Sequence, residues 1–232
     1  MASAVLEEYL ETIYNMTMEG EQVIGARLAE KFRVSRGTAG ETVKRLISEG
    51  YAVQHSNKSV SLTPSGQEMT EHILRRHRLA ERLLFDVLGM DSISAHEQAH
   101  ALEHWMSQEV EDRISTLLGH PRTCPHGNPI PGNATSGPAF LQEQNAFRLS
   151  EAATGQVVQV LLISEVVEDE SDVLRRLSQI GVYPTARVTI LEAVPGEALV
   201  VRVRDQACSI GADLATKIWV QTSAPEEEDE AS

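Results

Sequence analysis

Three histidines and a glutamate, His96, His100, Glu103 and His104, fall within nine residues at spacings of three and four. On a helix that spacing puts them along one face, as neighbouring nitrogen and oxygen donors. An i, i+4 pair, His77 and Glu81, stands a short distance upstream. Imidazole and carboxylate together form a ligand set for a divalent transition-metal ion. The structural alternative is a solvated polar face or a hydrogen-bonded core network. A sharper rival is His96-Glu97-Gln98-Ala99-His100, which matches the H-E-x-x-H pattern of a zinc metallopeptidase, with Glu97 as general base. The pattern is short, lacks the glycine of its extended form, and has no accompanying signs of a substrate cleft.

A second chemistry lies nearer the N-terminus. Arg27, Lys31, Arg33, Arg36, Lys44, Arg45 and Lys58 form a local basic cluster in a chain of 232 residues whose net charge is −14. The overall sign argues against a phosphate-binding surface, but the cluster supplies one locally. Ser35, Arg36, Gly37, Thr38, Glu41 and Thr42 open a helix after a tight turn, where side chains reach base edges in a major groove. Arg27, Lys44, Arg45 and Lys58 are placed for phosphates. A charged helical hairpin without DNA is the plainer reading of the same residues.

The elements that position these groups follow from periodicity. Val5, Leu6, Leu10, Ile13 and Tyr14 predict a first amphipathic helix over residues 3–18. A short helix over 25–32 and another from the Ser35 cap to Glu49 make a helix-turn-helix. Alternation from Tyr51 to Leu62 around Ser56-Asn57-Lys58-Ser59 predicts a two-stranded wing. Thr63-Pro64 opens a long helix reaching Gly89, and Ser94 with Glu97 predicts a capping box for a second long helix ending near Gly119. Two long striped helices suggest a homodimer interface. Pro, Gly, Asn and Ser fill residues 121–145, predicting a linker. Val157–Ile163, Val188–Leu191 and Leu199–Val203 read as strands, with a short helix over 172–180 and a Pro195-Gly196 turn.

The fold class expected is mainly α with small β elements. It comprises a winged helix-turn-helix over 1–63, a helical dimerisation and metal-binding domain over 64–120, the linker, an SH3-like β-barrel over 146–222, and an acidic tail over 223–232 containing Glu226 to Glu230. At 41 % apolar content such domains can bury real cores. No run of about eighteen apolar residues and no signal-peptide pattern occurs, so a cytoplasmic protein without a membrane partner is expected. Cys124 and Cys208 are too few for a disulfide framework.

The chain resembles the family of metal-dependent repressors that includes the diphtheria toxin repressor, the iron-dependent regulators of actinobacteria and the manganese transport regulators. The resemblance runs nearly end to end. It is carried by Glu8-Tyr9-Leu10-Glu11-Thr12-Ile13-Tyr14, the helix-turn-helix, Leu62-Thr63-Pro64-Ser65-Gly66, the stretch from His77 to Leu84, Glu103-His104 and Gly127-Asn128-Pro129-Ile130-Pro131. It implies a repressor that binds palindromic double-stranded operator DNA as a homodimer, takes no small-molecule substrate, and controls metal-uptake genes. It also implies two metal sites per subunit. The regulatory site falls on Glu8, His100, Glu103 and His104 with Glu11, and the second on His77, Glu81 and His96, joined by Glu170 from the acidic stretch of residues 168–172. Iron-type members carry Met and Cys where this chain has Glu8 and His100. The harder, sulfur-free shell therefore points to Mn²⁺ ahead of Fe²⁺.

Overall fold

The computed structural model describes residues 4–167, 169–194 and 196–223. Two compact units emerge. The first takes the chain as far as Glu143 together with Glu165–Val173, and the second takes Gln144–Ser164 and the chain from Leu174 onward. The acidic tail and Pro195 of the expected turn lie outside the described residues.

In the first unit, helix α1 (Ala4–Met18) buries Leu6, Leu10 and Ile13 against α2 (Gly25–Lys31) and α3 (Arg36–Ser48). Tyr9 and Phe32 stack with centroids 4.0 Å apart and planes within 5°, which fixes α1 to the end of α2. Ser35 caps α3, its hydroxyl oxygen accepting from Thr38 N at 3.0 Å. The wing is the antiparallel pair β1 (Ala52–Gln54) and β2 (Val60–Leu62), with Ala52 opposite Leu62. Val60 N donates to Val23 O, so the wing is tied back to the start of α2.

Helix α4 (Pro64–Arg82) starts on the Thr63 cap as expected, but ends at Arg82 in a π-helical turn over Leu83–Val87. The second long helix differs more. Asp91 is the cap, its carboxylate accepting from Ile93 N and Ser94 N, and Ser94 donates to Asp91 instead of forming a box with Glu97. The element then stops at Glu103, giving α5 (Ser92–Glu103), and a Ser107 cap starts α6 (Gln108–Leu117). Leu79, Ala80, Ala95, Ala99, Met106, Ile114 and Ile130 make the second core.

Residues 121–143 are not the open linker their composition predicts. Cys124, His126, Asn128 and Ile130 are buried, and α7 (Pro138–Glu143) packs on α1. Their backbone and polar groups find partners: Arg75 donates to Pro131 O and Asn133 Oδ1, and Arg78 to Pro129 O. Composition reports missing periodicity, and here irregular chain is held by arginines.

The second unit is a six-stranded antiparallel sheet, in the order β3-β8-β4-β5-β6-β7. Its strands are β3 (Phe147–Arg148), β4 (Val157–Ile163), β5 (Arg187–Glu192), β6 (Leu199–Val203), β7 (Gln206–Ile210) and β8 (Ile218–Thr222). Helices α8 (Glu170–Gln179) and α9 (Ala212–Ala215) interrupt them. β3, β7 and β8 were not foreseen.

Gly66 is where the wing and α4 meet most tightly, because a Cβ there would lie 1.9 Å from Tyr51 O. Gly66→Ala should lower unfolding free energy by about 1–3 kcal/mol or more through overpacking against backbone, measured by denaturant titration; a change under about 0.5 kcal/mol would mean the junction gives way freely.

Candidate metal centre and nucleic-acid interface

Helices α1, α4 and α5 and the first residue of α8 bring the donors together. Glu8, Glu11, His77, His96, His100 and Glu170 line a cleft of about 350 Å³ with Asn15, Lys31 and Glu165. Glu81 and Glu103 join through hydrogen bonds. Glu103 Oε2 is 2.7 Å from His77 Nδ1, and Glu81 Oε1 is 2.7 Å from His96 Nδ1. His104, exposed at the end of α5, sits 3.7 Å from Glu103 and 3.9 Å from Glu7, the neighbour of the expected Glu8. Glu170 Oε2 is 3.6 Å from His96 Nε2. Glu8, Glu11, His77, His96, His100 and Glu170 thus share the cleft, Glu81 and Glu103 adjoin it, and His104 lies outside its lining.

Two residues were missed. His126 is buried with Nδ1 3.2 Å from Glu81 Oε1, and Glu165 lies against Arg78 at 2.8 Å. The signal for His126 was Cys124-Pro125-His126, two potential ligands in a segment read only for its prolines and glycines. The ligand atoms of His77, His96 and His100 all lie within 4.8 Å of one another, as do those of Glu81, His96 and His126.

A divalent cation fits this donor set. Glu81 Oε2 and His126 Nε2 are buried without a hydrogen bond among the described residues. Orphaned buried polar atoms cost about 1–3 kcal/mol each unless something else engages them. Electrostatics agree. Burial pushes the Glu11 carboxyl up to about 8, with His77 opposing and Glu103 and Glu165 adding to the rise. Burial lowers the His96 imidazole, but the charge of Glu170 and the bond to Glu81 outweigh it and bring it to about 9. Burial likewise disfavours charged Glu103, yet His100 and His77 hold it at about 2.

The peptidase reading fails on geometry. His96 and His100 face the cluster, with ring centroids 5.3 Å apart, but Glu97 is exposed and does not line the cleft. It has no route to act as a base on anything held there.

On the reader head, Arg36, Gly37, Thr38 and Glu41 are exposed and Thr42 is half-buried. Lys44 pairs with Glu41 and Arg45 with Glu49, both at 2.8 Å, and Arg27 pairs with Glu21 at 2.9 Å. Exposed pairs of this kind are worth about 0–1 kcal/mol, so a phosphate can displace the carboxylate. Lys58 sits at the wing turn with φ +65°.

A winged helix-turn-helix joined to a helical unit packed with imidazoles and carboxylates defines a metal-responsive DNA-binding protein. Residues 1–60 match the iron dependent repressor N-terminal DNA binding domain, 63–132 its metal binding and dimerisation domain, and 147–222 the FeoA domain. The iron-dependent repressor IdeR of Mycobacterium leprae is 36 % identical over 93 % of this chain and 96 % of its own length. The diphtheria toxin repressor of Corynebacterium diphtheriae is 35 % identical over 80 % and 84 %. A manganese-dependent transcriptional repressor solved with manganese superposes with TM-score 0.77 at 29 % identity, over 94 % of this chain and all of the other. The chain belongs to the iron-dependent repressor family. It is a metal-dependent transcriptional repressor and not an enzyme, and it acts as an operator-binding homodimer. Among the described residues no helix is long and apolar enough to cross a membrane.

Two outcomes follow. His96 at about 9 and Glu11 at about 8 both hold protons at neutral pH. Using them as ligands must release those protons, so metal affinity should rise from about pH 6 to about pH 8 by roughly tenfold per unit for each proton displaced. Metal titrations in buffers of different ionisation enthalpy read this directly, and a pH-independent affinity would remove both residues from the ligand set. Separately, Arg36→Ala should weaken operator binding by about 1–3 kcal/mol with metal affinity in the absence of DNA unchanged; an equal loss of metal binding would contradict this division of labour.

Proposed function

We propose that this repressor senses Mn²⁺ in preference to Fe²⁺ through two sites per subunit, and that loading them fixes the spacing of paired reader heads over a palindromic operator. The outer, regulatory set is Glu8, Glu11, His100, Glu103 and His104. The inner set is His77, Glu81, His96 and Glu170, with His126 added. What carries the reading is that α1 belongs to the reader head while α4 and α5 belong to the dimerisation unit, and one cleft is lined by side chains from all three.

A bound divalent cation supplies positive charge to a carboxylate cluster. The residues do the rest. Glu8 and Glu11 on α1 share one cleft with His77, His96, His100 and Glu170, so an ion held there would tie α1 to α4 and α5. The outer donors are nitrogen and oxygen only, which suits Mn²⁺ and Fe²⁺ over softer ions. Burial keeps the Cys124 thiol, beside the inner set, well above its ordinary pKa and so protonated. A coupling of about 1–3 kcal/mol would change operator affinity about five- to 150-fold, and DNA must tighten metal binding by the same factor. Phe85, Val87, Leu88 and Trp105, the last 87 % exposed, are apolar groups for the second copy to cover. Control of metal-uptake genes is the corresponding biological role.

The test is fluorescence anisotropy with promoter DNA, first in chelator and then with Mn²⁺, anaerobic Fe²⁺ or Zn²⁺. Mn²⁺ should give the largest gain in affinity; a larger gain with Fe²⁺ would overturn the preference. Glu8→Ala and His104→Ala, both at exposed positions, should abolish the metal-dependent gain while leaving a folded dimer. An unaltered response in both would overturn the outer site.

A further inference from the structure

The first unit is closed by a piece of chain from far along the sequence. Glu165–Val173 follows β4 yet packs with the reader and dimerisation helices. Its first residue, Glu165, accepts from Asn15 Nδ2 on α1 at 2.7 Å and from Arg78 on α4 at 2.8 Å. Val166 is buried in the reader-head core with Leu6, Tyr9 and Leu10. Lys31, the last residue of α2, donates its ammonium to Glu165 O at 3.0 Å and to Val167 O. Glu170, at the other end of the strap, stands 3.6 Å from His96 Nε2 in the ligand cleft.

A lysine on a helix-turn-helix would ordinarily be read as a phosphate contact. Here two of its three donors go to backbone carbonyls of an irregular segment, groups that need partners wherever they leave water. The strap thus has one end on the helix that precedes the recognition helix and the other on the metal cluster.

We infer that Lys31 is a positioning residue which, by pinning the carbonyls of Glu165 and Val167, transmits the state of the ligand cluster to the helix-turn-helix. This rests on the reading that His96 and Glu170 serve the ion. Charge neutralisation at Glu170 seats the strap, and the seated strap holds α2, against which α3 packs. Without the Lys31 donors the cluster can fill while the reader head stays free.

The experiment uses the full-length dimer as wild type, Lys31→Met and Lys31→Arg. Methionine retains the apolar stem without donors, and arginine restores them. Hydrogen exchange of peptides spanning residues 164–173 and 36–48 is followed by mass spectrometry in chelator and in excess Mn²⁺, beside operator anisotropy. In wild type and Lys31→Arg, Mn²⁺ should slow exchange in both peptides. In Lys31→Met the slowing should be lost, and the metal-dependent gain in operator affinity should fall about fivefold or more. Wild-type protection in Lys31→Met would overturn the inference. So would an equal affinity loss in chelator and Mn²⁺ with a shallower salt dependence, the mark of a phosphate contact. No Mn²⁺-dependent protection of the strap in wild type would instead overturn the site reading beneath it, before Lys31 is at issue.

Discussion

A guanidinium taken wholly out of water needs its charge answered, and Arg78 is fully buried, its two terminal nitrogens bonded and, among the described residues, its Nε not. Its partners are Pro129 O at 2.6 Å, Asn15 Oδ1 at 3.2 Å and Glu165 Oε2 at 2.8 Å. One side chain thereby joins α4 to α1, to the Pro/Gly-rich segment and to the strap. Removing one partner of such a buried pair typically costs about 3–5 kcal/mol, because the other charge is left uncompensated. His77, its neighbour in sequence, and Glu81 one turn on, face the ligand cleft from a helix that Arg78 holds in place. The cluster of imidazoles and carboxylates is thus fastened by a permanent ion pair beside it.

Glu111 repeats the device at the far side of α4. It is buried and takes Arg75 at 2.6 Å and Arg76 at 3.2 Å. Arg75 also reaches Pro131 O and Asn133. Together the two arginine centres convert residues 121–143 from a composition typical of linkers into part of a folded wall, and so bring His126 beside Glu81.

The parts of the structure written in local sequence were readable. The Ser35 and Thr63 caps, the alternation of the wing and the i, i+4 histidine spacing each act within a few residues. His77 with Glu81 on α4, and His96, His100 and Glu103 on α5, share a face for the same reason, whereas Glu8, Glu11 and Glu170 come from other elements. What escaped reading depends on distant partners or on competition between near-equal local signals. Asp91 outcompeted Ser94 as a cap three residues earlier. His126 looked like loop because its burial is imposed by Arg78 and Arg75. Strands β7 and β8 complete a sheet whose edges no single segment declares.

The bond from Asn15 to Glu165 spans 150 residues of sequence. During synthesis the reader head, both long helices and most of the ligand set emerge before the strap exists. Throughout that interval Arg78 has its carbonyl and amide partners but no carboxylate. The nascent chain is therefore a domain with its buried charge uncompensated, able to collapse but not to lock. Only after β4 has left the ribosome can Glu165 arrive and the first domain finish folding, so the order of completion runs backwards along part of the chain. A fragment ending near residue 143, which domain boundaries drawn on sequence would recommend, would be the form of this protein most exposed to chaperones and proteases.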